Sequence, residues 1–257
     1  MIHPNLLKRQ ADRDRLTAAT VERDYVLTHV LAAIGERDER APIVFKGGTA
    51  LRLCHFDTYR YSADLDFSLT GGMGIPGARA LIEEALADCR KRIEFPSLRL
   101  SDTVPPAIEY IGPLDSRPRT IKLDLADGEL VENTARLPII QRYPDQQPSR
   151  CLVYTLDEIA AEKLRCVIQR VQCRDLHDLY ELLAIRQVDA PEIWPLFERK
   201  ARQRGVDPAR FAERFLDREA RWARRWDDEL AEYVTGDVPH FDGVLRAVRR
   251  ELRFALR

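Results

Sequence analysis

The chain has 257 residues, enough for one large or two modest domains, and 45% of them are hydrophobic, which suffices for a sizeable core. Its 41 basic and 42 acidic residues give a net charge of −1, which excludes a global attraction to nucleic acid and leaves only local basic surfaces. Five widely spaced cysteines without a CxxC motif exclude a disulfide framework and a cysteine-ligated zinc site.

The N-terminal segment predicts a helix and no export or membrane signal. Apolar residues recur at helical spacing over residues 11–34, and Glu22 and Asp24 are expected on the face turned to solvent. The first fifteen residues lack the apolar core of a signal peptide, and no apolar run of about 18 residues occurs anywhere. We therefore expect a soluble cytoplasmic protein with reduced thiols and no membrane contact.

Two strands and a glycine turn follow the first helix. A short apolar strand at 43–45 leads to Gly47 and Gly48, whose missing side chains allow a phosphate to approach the backbone closely. Thr49 adds a hydroxyl at a predicted helix start, a position that favours anions. The turn therefore predicts a phosphate-binding loop, and the alternative is an ordinary turn between a strand and a helix.

The second strand carries a pair of carboxylates. Successive side chains of a strand point to opposite faces, so Asp64 and Asp66 share one face, about 7 Å apart. Two such carboxylates repel each other unless a cation lies between them, and Mg²⁺ is the usual cation for oxygen ligands that also meet phosphates. The pair predicts a metal site beside the glycine turn, and the alternative is two surface aspartates.

The next strands form a predicted antiparallel extension at 98–100, 107–111 and 120–125. On the last of them Lys122 and Asp124 share one face, and Asp124 would supply the third carboxylate needed to hold two metal ions on a triphosphate. A half-buried strand with a surface salt bridge is the alternative. A further short strand is predicted at 137–142.

Helices dominate the rest of the chain. Thr155 and Glu158 form a capping-box pattern in which each side chain would bond a free amide at the helix start. The expected fold class is α/β (α+β), with a mixed sheet in an N-terminal lobe at 1–148 and an all-helical lobe at 149–257. Helices are predicted at 155–171, 174–185, 190–204, 208–234 and 241–256.

Three charged residues of the helical lobe stand out. Lys163 falls inside the apolar stripe of its helix, so it either extends its amine to solvent or points at an anion. Asp175 and Asp178 are three residues apart and share a helix face, where they would orient or deprotonate a hydroxyl or position Lys163. Helix capping by Asp175 is the alternative.

A later helix carries an arginine stripe beside an aromatic face. The stripe would bind RNA phosphates, or it is a solvated face partly neutralised by Glu213 and Asp217. The arginines are Arg210, Arg214, Arg218, Arg221 and Arg225, and the aromatic residues are Phe211, Phe215, Trp222 and Trp226.

The stretches KGGTALRL at 46–53 and RYSADLDF at 60–67 resemble motifs of the nucleotidyltransferase superfamily, and most closely its AbiEii-type toxins. Lys122-Leu-Asp124, Glu162-Lys163-Leu and Asp175-x-x-Asp178 resemble the later motifs of the same family, in order. The glycine turn departs from the superfamily's Gly-Ser pair, because Thr49 carries the hydroxyl one position later.

The resemblance implies an enzyme that transfers a nucleotide from an NTP with the help of Mg²⁺, two ions being expected. It implies metal ligation by Asp64, Asp66 and Asp124, and triphosphate binding by Gly47, Gly48, Thr49 and Lys163. It also implies the 3′ end of tRNA as the acceptor, a block of translation, and a separately encoded antitoxin. A protein or small-molecule hydroxyl as acceptor, or a non-catalytic nucleotide-binding module, are the alternatives.

Overall fold

The computed structural model describes residues 1–37 and 43–256. The chain divides into an α/β unit, formed by Met1–Gly128 and Thr134–Tyr154, and a helical unit, formed by Glu129–Asn133 and Thr155–Arg257. The sequence places one boundary between 148 and 149, close to the end of the second α/β segment. The helical unit also takes in the short segment that precedes Thr134.

The α/β unit is built on a mixed sheet, and the expected fold class is confirmed. Over the described residues the sheet has seven strands in the order β3-β4-β5-β2-β1-β7-β6. The pairs β1–β7 and β2–β5 are parallel, and the other neighbours are antiparallel. The strands are β1 Ile43–Lys46, β2 Asp64–Leu69, β3 Ser97–Leu100, β4 Ala107–Ile111, β5 Arg119–Ala126, β6 Thr134–Pro138 and β7 Arg150–Tyr154.

The α/β unit begins with two helices where the sequence predicts one. The predicted helix at 11–34 is wrong at its start, because Arg15 adopts a left-handed φ of 58° and ends the first helix, while its amide bonds the carbonyls of Ala11 and Asp12. A π-helical turn, Leu51–His55, continues the third helix. The helices are α1 Pro4–Asp14, α2 Ala18–Arg37, α3 Gly47–Ala50 and α4 Gly74–Ile93.

The two acidic residues expected on the solvent face of α2 are fully buried. Glu22 accepts a hydrogen bond from the Leu114 amide at 2.7 Å and lies 3.0 Å from Arg119 Nη1. Burial raises the pKa of Glu22 despite these partners. Asp24 pairs with Arg52, with 2.5 Å between Oδ1 and Nε. Both residues therefore anchor other parts of the unit to α2.

The C-terminal strands of the sheet differ from the prediction. The strand expected at 137–142 is displaced to β6, and the sequence pattern gave no strand at β7. In the structure β7 lies parallel to β1, with Val153 opposite Phe45. Such a pairing between distant segments is invisible to a local pattern, which explains the missed strand.

The helical unit contains five longer helices over its described residues and the shorter turns between them. Trp222 and Trp226 are buried on α8, as the aromatic face predicts. No helix within the described ranges is long and apolar enough to cross a membrane. The helices are α5 Leu156–Gln169, α6 Cys173–Leu179 with a π-helical continuation to Ile185, α7 Ala190–Gln203, α8 Phe211–Leu230 and α9 Phe241–Glu251.

The predicted capping box is half right. The Thr155 hydroxyl accepts the amide of Glu158 at 3.3 Å and caps α5. The Glu158 carboxylate instead accepts the amide of Asn133 at 3.0 Å and pairs with Lys200 Nζ at 2.5 Å. Glu158 is fully buried and joins the segment before β6 to the helical unit.

Candidate nucleotide and metal site

One row of side chains crosses four adjacent strands of the sheet. Asp124 on β5 pairs in register with Asp66 on β2, and Asp66 pairs with Lys46 on β1. Lys46 in turn lies beside Tyr154 on β7, since the preceding residues of these strands are in register. Neighbouring strands are about 4.8 Å apart, so the side chains of Asp124, Asp66 and Lys46 are close neighbours on one face.

The third predicted carboxylate lies on the same face. Asp64 is two residues before Asp66 on β2 and pairs in register with Lys122. Asp64 and Asp66 are half-buried, and Asp124 is exposed. The structure therefore places the three carboxylates that the sequence singles out on one sheet face, at positions that solvent reaches.

The glycine turn meets this row at its edge. Gly47 has a left-handed φ of 80°, and a Cβ added there would lie 2.5 Å from Asp66 Oδ2. A Cβ on Gly48 would collide with the guanidinium of Arg60. Each glycine is required by a close neighbour, one a carboxylate and the other a cation.

The Thr49 hydroxyl has a partner within the protein. It donates to the backbone carbonyl of Asp64 at 2.6 Å, and the side chain is buried. This bond fixes the first residue of β2 to the helix that follows the glycine turn. The phosphate contact expected of this hydroxyl stays a prediction.

The predicted residues of the helical unit form a buried ionic cluster. Lys163 Nζ lies 2.8 Å from Asp175 Oδ1 and 2.6 Å from Asp178 Oδ2. Arg170 also donates to Asp175, with 2.8 Å between Nε and Oδ2. Burial raises the pKa of Asp175, but the charges of Lys163 and Arg170 outweigh it and hold that pKa below its usual value.

The oxygen ligands of the α/β unit suit Mg²⁺. Within residues 1–37 and 43–256, no three acidic, histidine or cysteine side chains are already gathered closely enough to hold a metal ion. Mg²⁺ in nucleotide enzymes is commonly held by one or two carboxylates while substrate phosphates and water complete its octahedron. Asp66 and Asp124, neighbours in one row, fit that arrangement.

Comparisons with known proteins identify the family. The model of the family described as nucleotidyl transferase AbiEii toxin, type IV toxin–antitoxin system, matches residues 29–247, most of the chain. The chain belongs to the AbiEii family. No curated protein matches the sequence. The AbiEii motifs at the carboxylates, Lys163 and the Asp175–Asp178 pair all lie within the matched range.

The solved structure of MenT4 has the same fold as this AbiEii protein. MenT4, a nucleotidyltransferase toxin from Mycobacterium tuberculosis, is 20% identical with a TM-score of 0.70, and the match covers 99% of this chain and 90% of MenT4. A nucleotidyltransferase-like protein from Paracoccidioides brasiliensis matches with a TM-score of 0.45 and 14% identity, over 63% of this chain and 76% of that protein. Its membership of the AbiEii family makes this protein a nucleotidyltransferase.

The structure adds residues to the AbiEii site that the sequence did not assign. Arg52 pairs with the buried Asp24, and its Nη1 donates to the Tyr59 carbonyl at 2.7 Å. Tyr143 also donates to Asp24, at 2.8 Å. These bonds hold the loop between the π-helical turn and β2, and Arg60 at the end of that loop covers Gly48. Arg52 and Arg60 lie within the two quoted motif stretches, which was their only signal in the sequence, and Asp24 and Tyr143 lie outside both stretches.

Proposed function

We propose that this AbiEii protein uses Mg²⁺ to transfer a nucleotide from an NTP to the 3′ end of tRNA. The observation that carries the proposal is the carboxylate row of Asp66 and Asp124, which ends against the backbone of Gly47. Metal ligands beside a phosphate-binding turn on one sheet face are what a metal-bound triphosphate requires. Asp64, two residues before Asp66 on the same face of β2, completes the ligand set.

The residues have distinct roles in this proposal. The backbone of Gly47 and Gly48, with Thr49, receives the triphosphate. The resemblance of Glu162-Lys163-Leu to the family's third motif supports Lys163 as a compact positive charge for the nucleotide. Asp64, Asp66 and Asp124 hold two Mg²⁺ ions, which when bound stabilise the attacking and leaving oxygens.

The reaction is an in-line displacement at the α-phosphorus. An acceptor hydroxyl oxygen forms a bond to that phosphorus, the bond to the β-phosphate bridging oxygen breaks, and pyrophosphate leaves. The hydroxyl proton passes to solvent or to a carboxylate at the site. The chain's own contribution is the placement of the two reacting groups and the compensation of charge.

Asp175 is better suited to positioning than to proton abstraction. A general base works best with a pKa near the operating pH, whereas the pKa of Asp175 is lowered by its neighbours. Asp175 and Asp178 both bond the Lys163 ammonium, which fixes its direction. We therefore assign the pair to the orientation of Lys163.

Family membership supports the proposed partner, and toxicity supports the proposed acceptor. AbiEii proteins are the toxins of type IV toxin–antitoxin systems, so a separately encoded antitoxin is expected. A nucleotide added to the 3′ end of tRNA would block aminoacylation and halt translation, which accounts for toxicity. A protein side chain or a small-molecule hydroxyl as acceptor would need another explanation of that toxicity.

A labelling assay tests the proposal. Each of the four α-labelled NTPs is incubated with total tRNA, with cellular protein or with an aminoglycoside, in Mg²⁺ or in EDTA. We expect label on tRNA, only with Mg²⁺, and none after periodate oxidation of the 3′ ribose. Label on protein or drug alone would overturn the acceptor, and label in EDTA would overturn the metal requirement.

A further inference from the structure

Lys46 is a buried cation that the proposed chemistry does not use. Its side chain is only 5% exposed, although it lies at the last position of β1 directly before the glycine turn. In the sheet it stands next to Asp66, and Asp66 stands next to Asp124, all on one face. A buried lysine is therefore built into the row that holds the proposed metal ligands.

The neighbours of Lys46 keep it in that row. Its Nζ lies 5.9 Å from the centre of the Tyr154 ring, on the side away from Asp66. The Tyr154 hydroxyl is 2.7 Å from Ser68 Oγ, and its carbonyl is 2.9 Å from His55 Nε2. Tyr154 and Ser68 are both fully buried, so the Tyr154 ring is held in place beside Lys46.

We propose that Lys46 is a built-in counter-ion of the carboxylate row, which holds the row together without metal and disfavours a divalent ion until an NTP brings one. The inference rests on the proposed function, because it takes Asp66 and Asp124 as metal ligands. Lys46 is a positioning residue in this scheme. It is the register partner of Asp66 in the sheet, and the phosphates of the incoming metal–nucleotide complex offset its repulsion of the metal.

Charge and burial explain why Lys46 stabilises the carboxylate row without metal and why it weakens the binding of a divalent ion. Asp64, Asp66 and Asp124 repel one another on one face, and a buried ammonium beside Asp66 reduces that repulsion. The same ammonium opposes a divalent ion placed on Asp66, since both are positive and separated by little water. Lys122, the other lysine on this face, is exposed, so solvent and salt weaken its influence.

The test compares Lys46→Met, Lys46→Arg and Lys122→Met with the wild type. Mn²⁺ binding is titrated by electron paramagnetic resonance in the absence of nucleotide, and thermal unfolding is followed with and without saturating Mn²⁺. We expect Lys46→Met to bind Mn²⁺ about tenfold more tightly or better, since a nearby repulsive charge is gone. Without metal it should melt below the wild type, and saturating Mn²⁺ should remove the difference. Lys46→Arg keeps the charge and should bind like the wild type, and Lys122→Met should change affinity less than about threefold.

Several results would overturn the inference. Unchanged or weaker Mn²⁺ binding by Lys46→Met, or a variant that stays unfolded in saturating Mn²⁺, would make Lys46 an ordinary structural lysine. Tighter binding by Lys46→Arg would also contradict it, because the charge is retained. Asp66→Asn separates this failure from failure of the proposed function: if wild-type Mn²⁺ binding survives that change, the metal site itself is misplaced.

Discussion

The two units of this protein use carboxylates in opposite ways. On the sheet of the α/β unit, Asp66 and Asp124 are neighbours at half-buried and exposed positions. In the helical unit, Asp175 and Asp178 are 1% and 0% exposed and share the ammonium of Lys163. The first set lies where solvent and a metal ion can reach it, although the buried Lys46 stands next to it in the sheet, whereas the second is bonded directly to an internal cation. In our proposal, similar motif residues therefore serve ligation in one unit and orientation in the other.

This contrast also separates activity from stability. Removing an accessible ligand from a repelling set relieves repulsion, while removing one partner of a buried ion pair leaves an uncompensated charge. Substitutions in the α/β site should therefore abolish chemistry without unfolding, and substitutions in the helical cluster should change both. The predictions below test that division.

The largest effect is expected from Asp66→Ala, which deletes a metal ligand. Nucleotide transfer should fall at least about a hundredfold, because a bound metal contributes several kcal/mol to transition-state stabilisation. The melting temperature without metal should change little, because the relief of carboxylate repulsion is offset by the loss of the acidic neighbour of the buried Lys46. Initial rates and thermal unfolding measure the two effects.

Glu109→Ala is the matched control for Asp66→Ala. Glu109 lies on β4, on the same sheet face, but pairs with Arg99 at 2.5 Å. It should retain transfer. A near wild-type rate for Asp66→Ala would refute the metal-site assignment.

Lys163→Ala should lose both stability and NTP affinity. Leaving Asp175 and Asp178 without their shared ammonium should cost about 3–5 kcal/mol of unfolding free energy. NTP affinity should fall roughly tenfold to a hundredfold, the value of about 1.5–3 kcal/mol for a charge-assisted contact. Denaturant unfolding and equilibrium nucleotide binding report the two losses.

Lys200→Ala is the control that isolates the nucleotide contact. Lys200 is also a buried lysine of the helical unit, paired with Glu158 at 2.5 Å and with the Leu130 carbonyl at 2.8 Å. It should lose stability and keep NTP affinity. If Lys163→Ala also keeps NTP affinity, Lys163 serves only the fold.

Sequence reasoning succeeded where chemistry depends on local order. The alternation along β2 places Asp64 and Asp66 on one face, and the alternation along β5 places Lys122 and Asp124 on one face. Helical spacing likewise predicts the buried tryptophans Trp222 and Trp226 of α8. In each case the nearest neighbours along the chain decide which way a side chain points.

It failed where distant segments decide the role of a residue. Glu22 and Asp24 are charged and were assigned to solvent, but Leu114 and Arg52 reach them through the tertiary fold. Glu158 has the right spacing for a capping box, yet Lys200 and the Asn133 amide take its carboxylate. Residue type alone cannot reveal a partner that is far away in sequence.

Acid should affect the helical cluster through Asp175. Its pKa is lowered in the folded protein, so its stabilising contribution is complete above its unfolded value of about 3.9 and is lost as the pH falls through the lower folded value. Asp175→Asn should be less stable at pH 7 by about 1.5–3 kcal/mol. The difference from the wild type should shrink as the pH drops below about 4.

Tryptophan fluorescence follows this effect selectively. The three tryptophans, Trp194, Trp222 and Trp226, all belong to the helical unit. Urea unfolding at several pH values gives the two stability curves. Curves that stay parallel through the acid range would show that ionised Asp175 contributes nothing.

The smallest effect is expected at the arginine stripe of α8. Arg210 pairs with Glu213 at 2.5 Å and Arg221 with Asp217 at 2.7 Å, so the helix neutralises part of its own positive charge. This favours the solvated-face interpretation.

Arg214→Glu combined with Arg221→Glu should change the KM for tRNA less than about threefold, because such exposed pairs carry little energy. If the arginines contact RNA, the double substitution should instead raise that KM, most strongly at low salt. The loss of each phosphate contact should also reduce the salt dependence of binding by about one log unit. If tRNA kinetics over a salt series show that pattern while the KM for NTP stays constant, the stripe is an RNA surface and the helical unit contributes acceptor binding as well as Lys163.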